Sequence, residues 1–166
     1  MADETTDETN QLADADNEGV EFSARVLSQY VRDLSFESPS IDRALEGPGE
    51  NPNLELEVNV NARSMRPNHY QSEIEFVAKA VDDRGTIYEL ECTYGGVFLL
   101  EGVPQDAIEP FLLINCPSIL FPFLRRIVAD LTREGGFPPL FLDPIDFGSL
   151  YVNRQNAGEQ DGQTLN

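Results

Sequence analysis

At 166 residues, with 30 Asp and Glu against 11 Lys and Arg, the chain has room for one domain whose core removes roughly two-thirds of the unfolded surface from water. So acidic a surface repels phosphate backbones and anionic lipid, which excludes nucleic acid as an expected partner, and it favours basic protein surfaces of complementary potential. Two cysteines make neither a disulfide framework nor a zinc ligand set, and without a signal-peptide pattern or an apolar run near the roughly 20 residues of a membrane span the chain reads as cytoplasmic, with no direct membrane insertion.

Residues 1–20 are polar and acidic, a composition that predicts a disordered leader. Through Glu21 the leader holds eight acids and no Lys or Arg, so the rest of the chain keeps 22 acids against 11 bases. Residues 22–37 read two ways. Val26, Leu27, Tyr30, Val31 and Leu34 form a helical stripe, whereas Tyr30, Arg32, Leu34 and Phe36 alternate with Asp33, Ser35 and Glu37, which favours a strand at the C-terminal end.

Leu54–Ala62 alternates strictly between apolar and polar, as a strand with one wet face does. After the turn signal Arg66-Pro67-Asn68, Ser72–Val81 is β-rich, and Asp83-Arg84-Gly85 reads as a tight hairpin turn. Thr86–Tyr94 follows, with Leu90, Cys92 and Tyr94 on one face and Glu89 and Glu91 on the other, and Gly95-Gly96 predicts a bulge or bend before Val97–Leu100. The second half is helical. A short helix is expected over Asp106–Ile114. A longer one is marked by Ile119, Leu120, Phe123, Leu124, Ile127, Val128 and Leu131, with Pro122 in its first turn or at a kink. Gly135-Gly136 supplies the stop and Asp146 the N-cap of a last helix to Arg154. Strands followed by helices give an α+β domain over residues 21–154, with a flexible polar C-terminal tail over 155–166.

Catalytic chemistry finds little support. His69 is the only histidine and follows a Pro-Asn turn, as a solvated loop residue does. Cys116 at a helix start could serve a cysteine hydrolase, but no second histidine exists to pair with it. Glu89 and Glu91 share a strand face without a third metal ligand, and no P-loop, HExxH or GxSxG sequence occurs. The chain is expected not to be an enzyme and to need no cofactor or metal. The outstanding feature is apolar excess: seven aromatic residues from Phe111 to Tyr151, interleaved with prolines, six of which fall between Pro110 and Pro144 inclusive. They make either a core plus an oligomer interface or an exposed groove for binding.

Three stretches resolve that choice by resemblance. Tyr30-Val31-Arg32-Asp33-Leu34-Ser35-Phe36-Glu37, Tyr94-Gly95-Gly96-Val97-Phe98, and Cys116-Pro117-Ser118-Ile119-Leu120-Phe121-Pro122-Phe123 with Gly135-Gly136-Phe137-Pro138-Pro139-Leu140 downstream together resemble SecB, the bacterial protein-export chaperone family, collinearly over about residues 22–153. The resemblance implies a four-stranded antiparallel sheet packed with helices, assembled as a homotetramer (a dimer of dimers). Such proteins hold unfolded preproteins in apolar grooves and deliver them to the translocation ATPase SecA.

By position it implies SecA binding by Asp33, Glu37, Glu89 and Glu91. A preprotein groove would use Phe36, Phe98, Phe141, Phe147, Leu150 and Tyr151, and a subunit interface Leu90, Cys92 and Tyr94. The family more often has an apolar residue at the position of Glu89, and residues 155–166 match its mobile tail only in being polar. Two other readings stand beside it: a SecB-like chaperone dedicated to an antitoxin, and a small-molecule binder using the aromatic groove as a pocket.

Overall fold

The computed structural model describes residues 22–39, 41–46 and 52–161, so the expected leader lies outside the described residues. Four long strands carry the fold: β1 (Ser23–Glu37), β2 (Asn53–Arg66), β3 (His69–Asp82) and β4 (Gly85–Glu101), with a short helix α1 (Asp42–Glu46) between the first two. They form one antiparallel sheet in the order β1-β4-β3-β2. Strands β2, β3 and β4 are a meander of tight turns, with Asn68 at φ 61 and Gly85 at φ 114 supplying the left-handed residues those turns require.

The whole of β1 is strand, and the helical stripe in its sequence has a physical origin. Register shifts between Val26 and Ser28 and between Val31 and Asp33 each insert one extra residue. The side chains opposite the helix-facing residues of β4 are therefore Val26, Gln29, Val31, Leu34 and Phe36, a spacing that imitates a helix.

The expected bulge at Gly95-Gly96 is absent, and β4 runs unbroken through both glycines. The glycines serve close approach instead. A Cβ on Gly95 would lie 2.8 Å from the Glu73 side chain and 2.9 Å from the Tyr30 ring, and one on Gly96 would lie 2.9 Å from Leu120.

One sheet face is covered by helices and the other is open. α2 (Gln105–Pro110) passes through a π-helical turn, Phe111–Asn115, into α3 (Cys116–Glu134), so the helix begins earlier than expected and Pro122 lies well inside it. By length and composition alone the 30-residue stretch could cross a membrane. Here Leu120, Leu124 and Val128 are instead fully buried against Ile74, Phe76, Leu90 and Cys92. Each such side chain contributes about 1.5–3 kcal/mol through its burial.

Gly135 and Gly136 end α3 as expected, and residues 137–146 cross back in extended form to α4 (Phe147–Asp161). Asp146 caps α4, accepting from the Ser149 N–H at 3.0 Å, and these hydrogen bonds hold its carboxyl below the usual range. The helix continues past residue 154, where a tail was expected.

Thr132 fixes the returning segment. Fully buried, its hydroxyl donates to the Val128 carbonyl at 2.9 Å and accepts from the Leu140 N–H at 2.9 Å. Thr132→Val keeps the shape but strands the half-buried Leu140 amide. A loss of about 1–3 kcal/mol is expected in thermal or urea denaturation, together with faster proteolysis within residues 137–142. Unchanged stability and cleavage would show that the segment is held by packing alone.

Candidate functional site

The helix-covered face leaves a trough along β2, the sheet edge farthest from β1. Leu54 and Leu56 are exposed there, Val58 and Val60 are half-buried, and among the described residues no strand pairs with the outer backbone edge. Two contiguous cavities of about 640 and 390 Å³ share Asn61, Leu113, Tyr151 and Arg154 in their walls. A third, of about 330 Å³, lies between Leu54, Tyr88 and the Phe137-Pro138-Pro139-Leu140 segment. Arg154 reaches across to donate to the Val60 carbonyl at 2.9 Å. A 14-residue strand spans roughly 46 Å at about 3.3 Å per residue. The trough is therefore long, apolar from Leu54 to Val60 and mixed in polarity from Asn61 to Ser64, beside a strand edge whose Val60 carbonyl accepts from Arg154.

Of the six expected groove residues, Leu150 and Tyr151 line the first two cavities, and Phe141 stands 70% exposed next to the segment that walls the third, without lining it. Phe36 is half-buried, stacked on Tyr88 at 5.6 Å and beside Phe137, behind the third cavity. Phe98 and Phe147 are corrections. At 1% and 3% exposure both belong to the core, Phe147 edge-on against Phe121, and neither reaches a surface. Leu54, Leu56 and Leu113 are groove residues that the sequence reading missed. The alternation of β2 showed which of its residues face inward, but only the short reach of the helices shows that they stay uncovered.

The open sheet face holds the expected acidic positions together. Glu37 pairs directly with Glu89, Ser35 with Glu91 and Asp33 with Thr93. Across β4 the row continues to Glu75 and Lys79, and across β3 to Glu55 and Glu57. Seven carboxylates thus share this half of the face with one lysine. Lys79 lies 3.7 Å from Glu89, both partly exposed, a contact of little energetic weight. Like charges directly opposite each other in a sheet repel, so the arrangement gains free energy when a cationic surface covers it.

Leu90, Cys92 and Tyr94 form a row beneath α3, at 0%, 1% and 8% exposure. Leu90 and Cys92 spend their area inside the subunit, so of the three residues expected at a subunit interface only Tyr94 reaches toward the surface. What remains uncovered on that side is a neighbouring patch: Val26, Val31 and Leu34 of β1 with Ile119 and Phe123 of α3. Tyr94 touches it from below, its ring stacked on Phe123 at 6.2 Å and its hydroxyl donating to Gln29 at 3.1 Å.

Neither thiol is suited to nucleophilic attack. Burial pushes Cys116 up to about 12, and burial, aided by the Asp33 charge, pushes Cys92 up to about 11. His69 holds the Pro67 carbonyl at 2.8 Å in the β2–β3 turn. Among the described residues no three His, Cys, Asp or Glu gather as metal ligands.

The family described as "Preprotein translocase subunit SecB" matches residues 17–158. Protein-export protein SecB of Azorhizobium caulinodans is 45% identical over 139 residues, 84% of this chain and 87% of that protein. The SecB of Mesorhizobium japonicum is 46% identical over 83% of each. Among solved structures, a Mycobacterium tuberculosis SecB-like chaperone in complex with an antitoxin peptide shares the fold at TM-score 0.59 and 13% identity, over 74% of this chain and 90% of that one.

Proposed function

The chain belongs to the SecB family, and from that premise we propose how its three surfaces divide the work of an export chaperone. It holds precursor proteins in a state fit for export, work that requires binding rather than bond-breaking. The observation that carries the division of labour is the trough along β2. An unfolded precursor offers apolar side chains and unpaired backbone. The trough presents Leu54, Leu56, Leu150 and Tyr151, with Phe141 nearby, beside a strand edge that pairs with no described strand. Aromatic and aliphatic contacts are large and weakly directional, so they accept many sequences, and the edge adds main-chain hydrogen bonds common to all of them.

The carboxylate field on the open face is the docking surface for SecA, with Asp33, Glu37, Glu89 and Glu91 at its centre. Placing the client trough and this field on opposite faces of one sheet lets the chaperone meet SecA while still loaded. The patch formed by Val31, Leu34, Ile119 and Phe123 joins subunits into a dimer of dimers, and several troughs on one particle give avidity for a long client. The setting of this work is the cytoplasm, before the precursor meets the membrane.

Light scattering after size exclusion tests the reading, with the protein alone and with a slow-folding precursor diluted from denaturant. A particle near four times 18.5 kDa is expected, co-eluting with unfolded precursor and not with its folded form. Leu56→Glu, in the trough, is expected to lower client affinity at least tenfold at the same particle mass. A monomer that ignores unfolded chains would overturn both assembly and trough.

The dedicated-antitoxin alternative has one observation behind it, the shared fold of the mycobacterial protein seen with an antitoxin peptide. At 13% identity that likeness concerns the fold alone, whereas the export proteins are 45–46% identical over most of the chain. The export reading is therefore favoured.

A further inference from the structure

The open sheet face is most acidic at one end, and the other end holds only Glu73 and Glu101 among its carboxylates. There, toward the β2–β3 turn, Arg25 of β1 lies opposite Leu99, Arg63 of β2 opposite Gln71, and Arg66 opposite His69, with Arg32 at the bulge in β1. Four of the chain's 11 basic residues are thus gathered on this end, in a protein of net charge −19.

Part of this cluster is held in place from below. Glu73, buried at 4% exposure in the space above Gly95, accepts from Tyr30 at 3.0 Å, from Gln71 at 2.6 Å and from Arg32. Gln71 in turn accepts from the Arg63 guanidinium. The result is a cleft of about 430 Å³ with Arg32 and Arg63 in its walls. Each arginine keeps donors to spare, since a guanidinium carries five. Arg25 and Arg66 make no ion pair with any described residue.

Glu73 offsets one of the two arginines that line the cleft, and Arg25 and Arg66 lie outside it. This end of the face therefore keeps a net positive charge that an anionic segment can meet, and the chain carries one. Residues 1–21 hold eight carboxylates and no Lys or Arg, and they precede β1, which begins at Ser23, two residues before Arg25. We propose that this acidic leader docks back onto the arginine end of the open sheet face of its own subunit. Twenty residues reach at most about 66–72 Å when extended, ample for the roughly 30 Å from Ser23 to the far wall of the cleft at about 3.3 Å per residue. Tethering gives the leader an effective concentration in the millimolar range, which an untethered acidic peptide must exceed to displace it. With the leader in place, the open face is negative from end to end. The inference stands on charge and register alone and does not depend on the export reading.

The test compares the full chain with a variant in which the eight leader acids are changed to Asn or Gln. Arginine modification by phenylglyoxal is followed site by site by mass spectrometry. At low ionic strength Arg63 and Arg66 are expected to react at least fivefold more slowly in the native chain, and about 0.5 M salt removes the difference by screening. Arg84, on the β3–β4 turn at the opposite end of the sheet, is expected to react equally in both chains. Equal rates at Arg63 and Arg66, or slowing that extends to Arg84, would overturn the proposal.

Discussion

Asp33→Lys or Glu91→Lys is expected to abolish SecA binding in calorimetry while unfolded precursor is captured at its native affinity. Both carboxylates are exposed, and neither makes a hydrogen bond or ion pair among the described residues, so the fold does not depend on them. Surface changes of this kind stay within about 0.5 kcal/mol of native stability. The effect on docking is far larger. Each reversal moves the field by two charge units and places a lysine where a basic partner must approach, and each factor of ten in affinity is only about 1.4 kcal/mol. Like-charge contact against a desolvating interface costs several times that. Glu89→Lys is expected to be weaker, because Lys79 already lies 3.7 Å from that carboxylate. Normal SecA affinity in the Asp33 and Glu91 variants would move the docking surface elsewhere.

The second large effect separates two residues that look alike in sequence. Phe147→Ala is expected to lower stability by about 3–5 kcal/mol, as truncation of a buried aromatic does, and the melting temperature by on the order of 10 °C for a chain of this size. Its ring is 97% covered and packs edge-on to Phe121, with centroids 6.0 Å apart. Tyr151, one helical turn on, lines both trough cavities. Tyr151→Ala is expected to weaken client binding several-fold with little change in melting temperature. Calorimetry of the two variants beside a client-binding assay distinguishes them. A Phe147→Ala protein that melts normally yet binds clients poorly would return Phe147 to the trough.

How much was readable beforehand follows from which physical signals are local. The strict alternation of β2 and the helical stripe of α3 are local, and both elements lie where those patterns put them. The turn at Gly85, the stop at Gly135-Gly136 and the cap at Asp146 are likewise fixed by a few neighbouring atoms. The ambiguity of β1 came from two register shifts, which no rule of period two anticipates. Gly95-Gly96 was misread because a glycine marks a bend and a close approach with the same letter; Tyr30 and Leu120, far away in sequence, decide which. The acidic row was legible because alternation alone puts Glu89 and Glu91 on one face. Sorting Phe98 and Phe147 from Phe141 was not, since composition counts aromatics without saying where the helices stop covering the sheet.

The strand order has a consequence in time. β2, β3 and β4 are joined by tight turns and can zip together from contacts a few residues apart, on the microsecond scale of hairpins. β1 must find β4 across a gap that runs from Glu37 with Glu89 to Ser23 with Glu101, and closing so long a loop is the slow, entropically opposed step. Until it closes, β4 has a bare edge, and half of the patch formed by Val31 and Leu34 with Ile119 and Phe123 does not yet exist. A nascent subunit is thereby ordered to complete itself before it can associate.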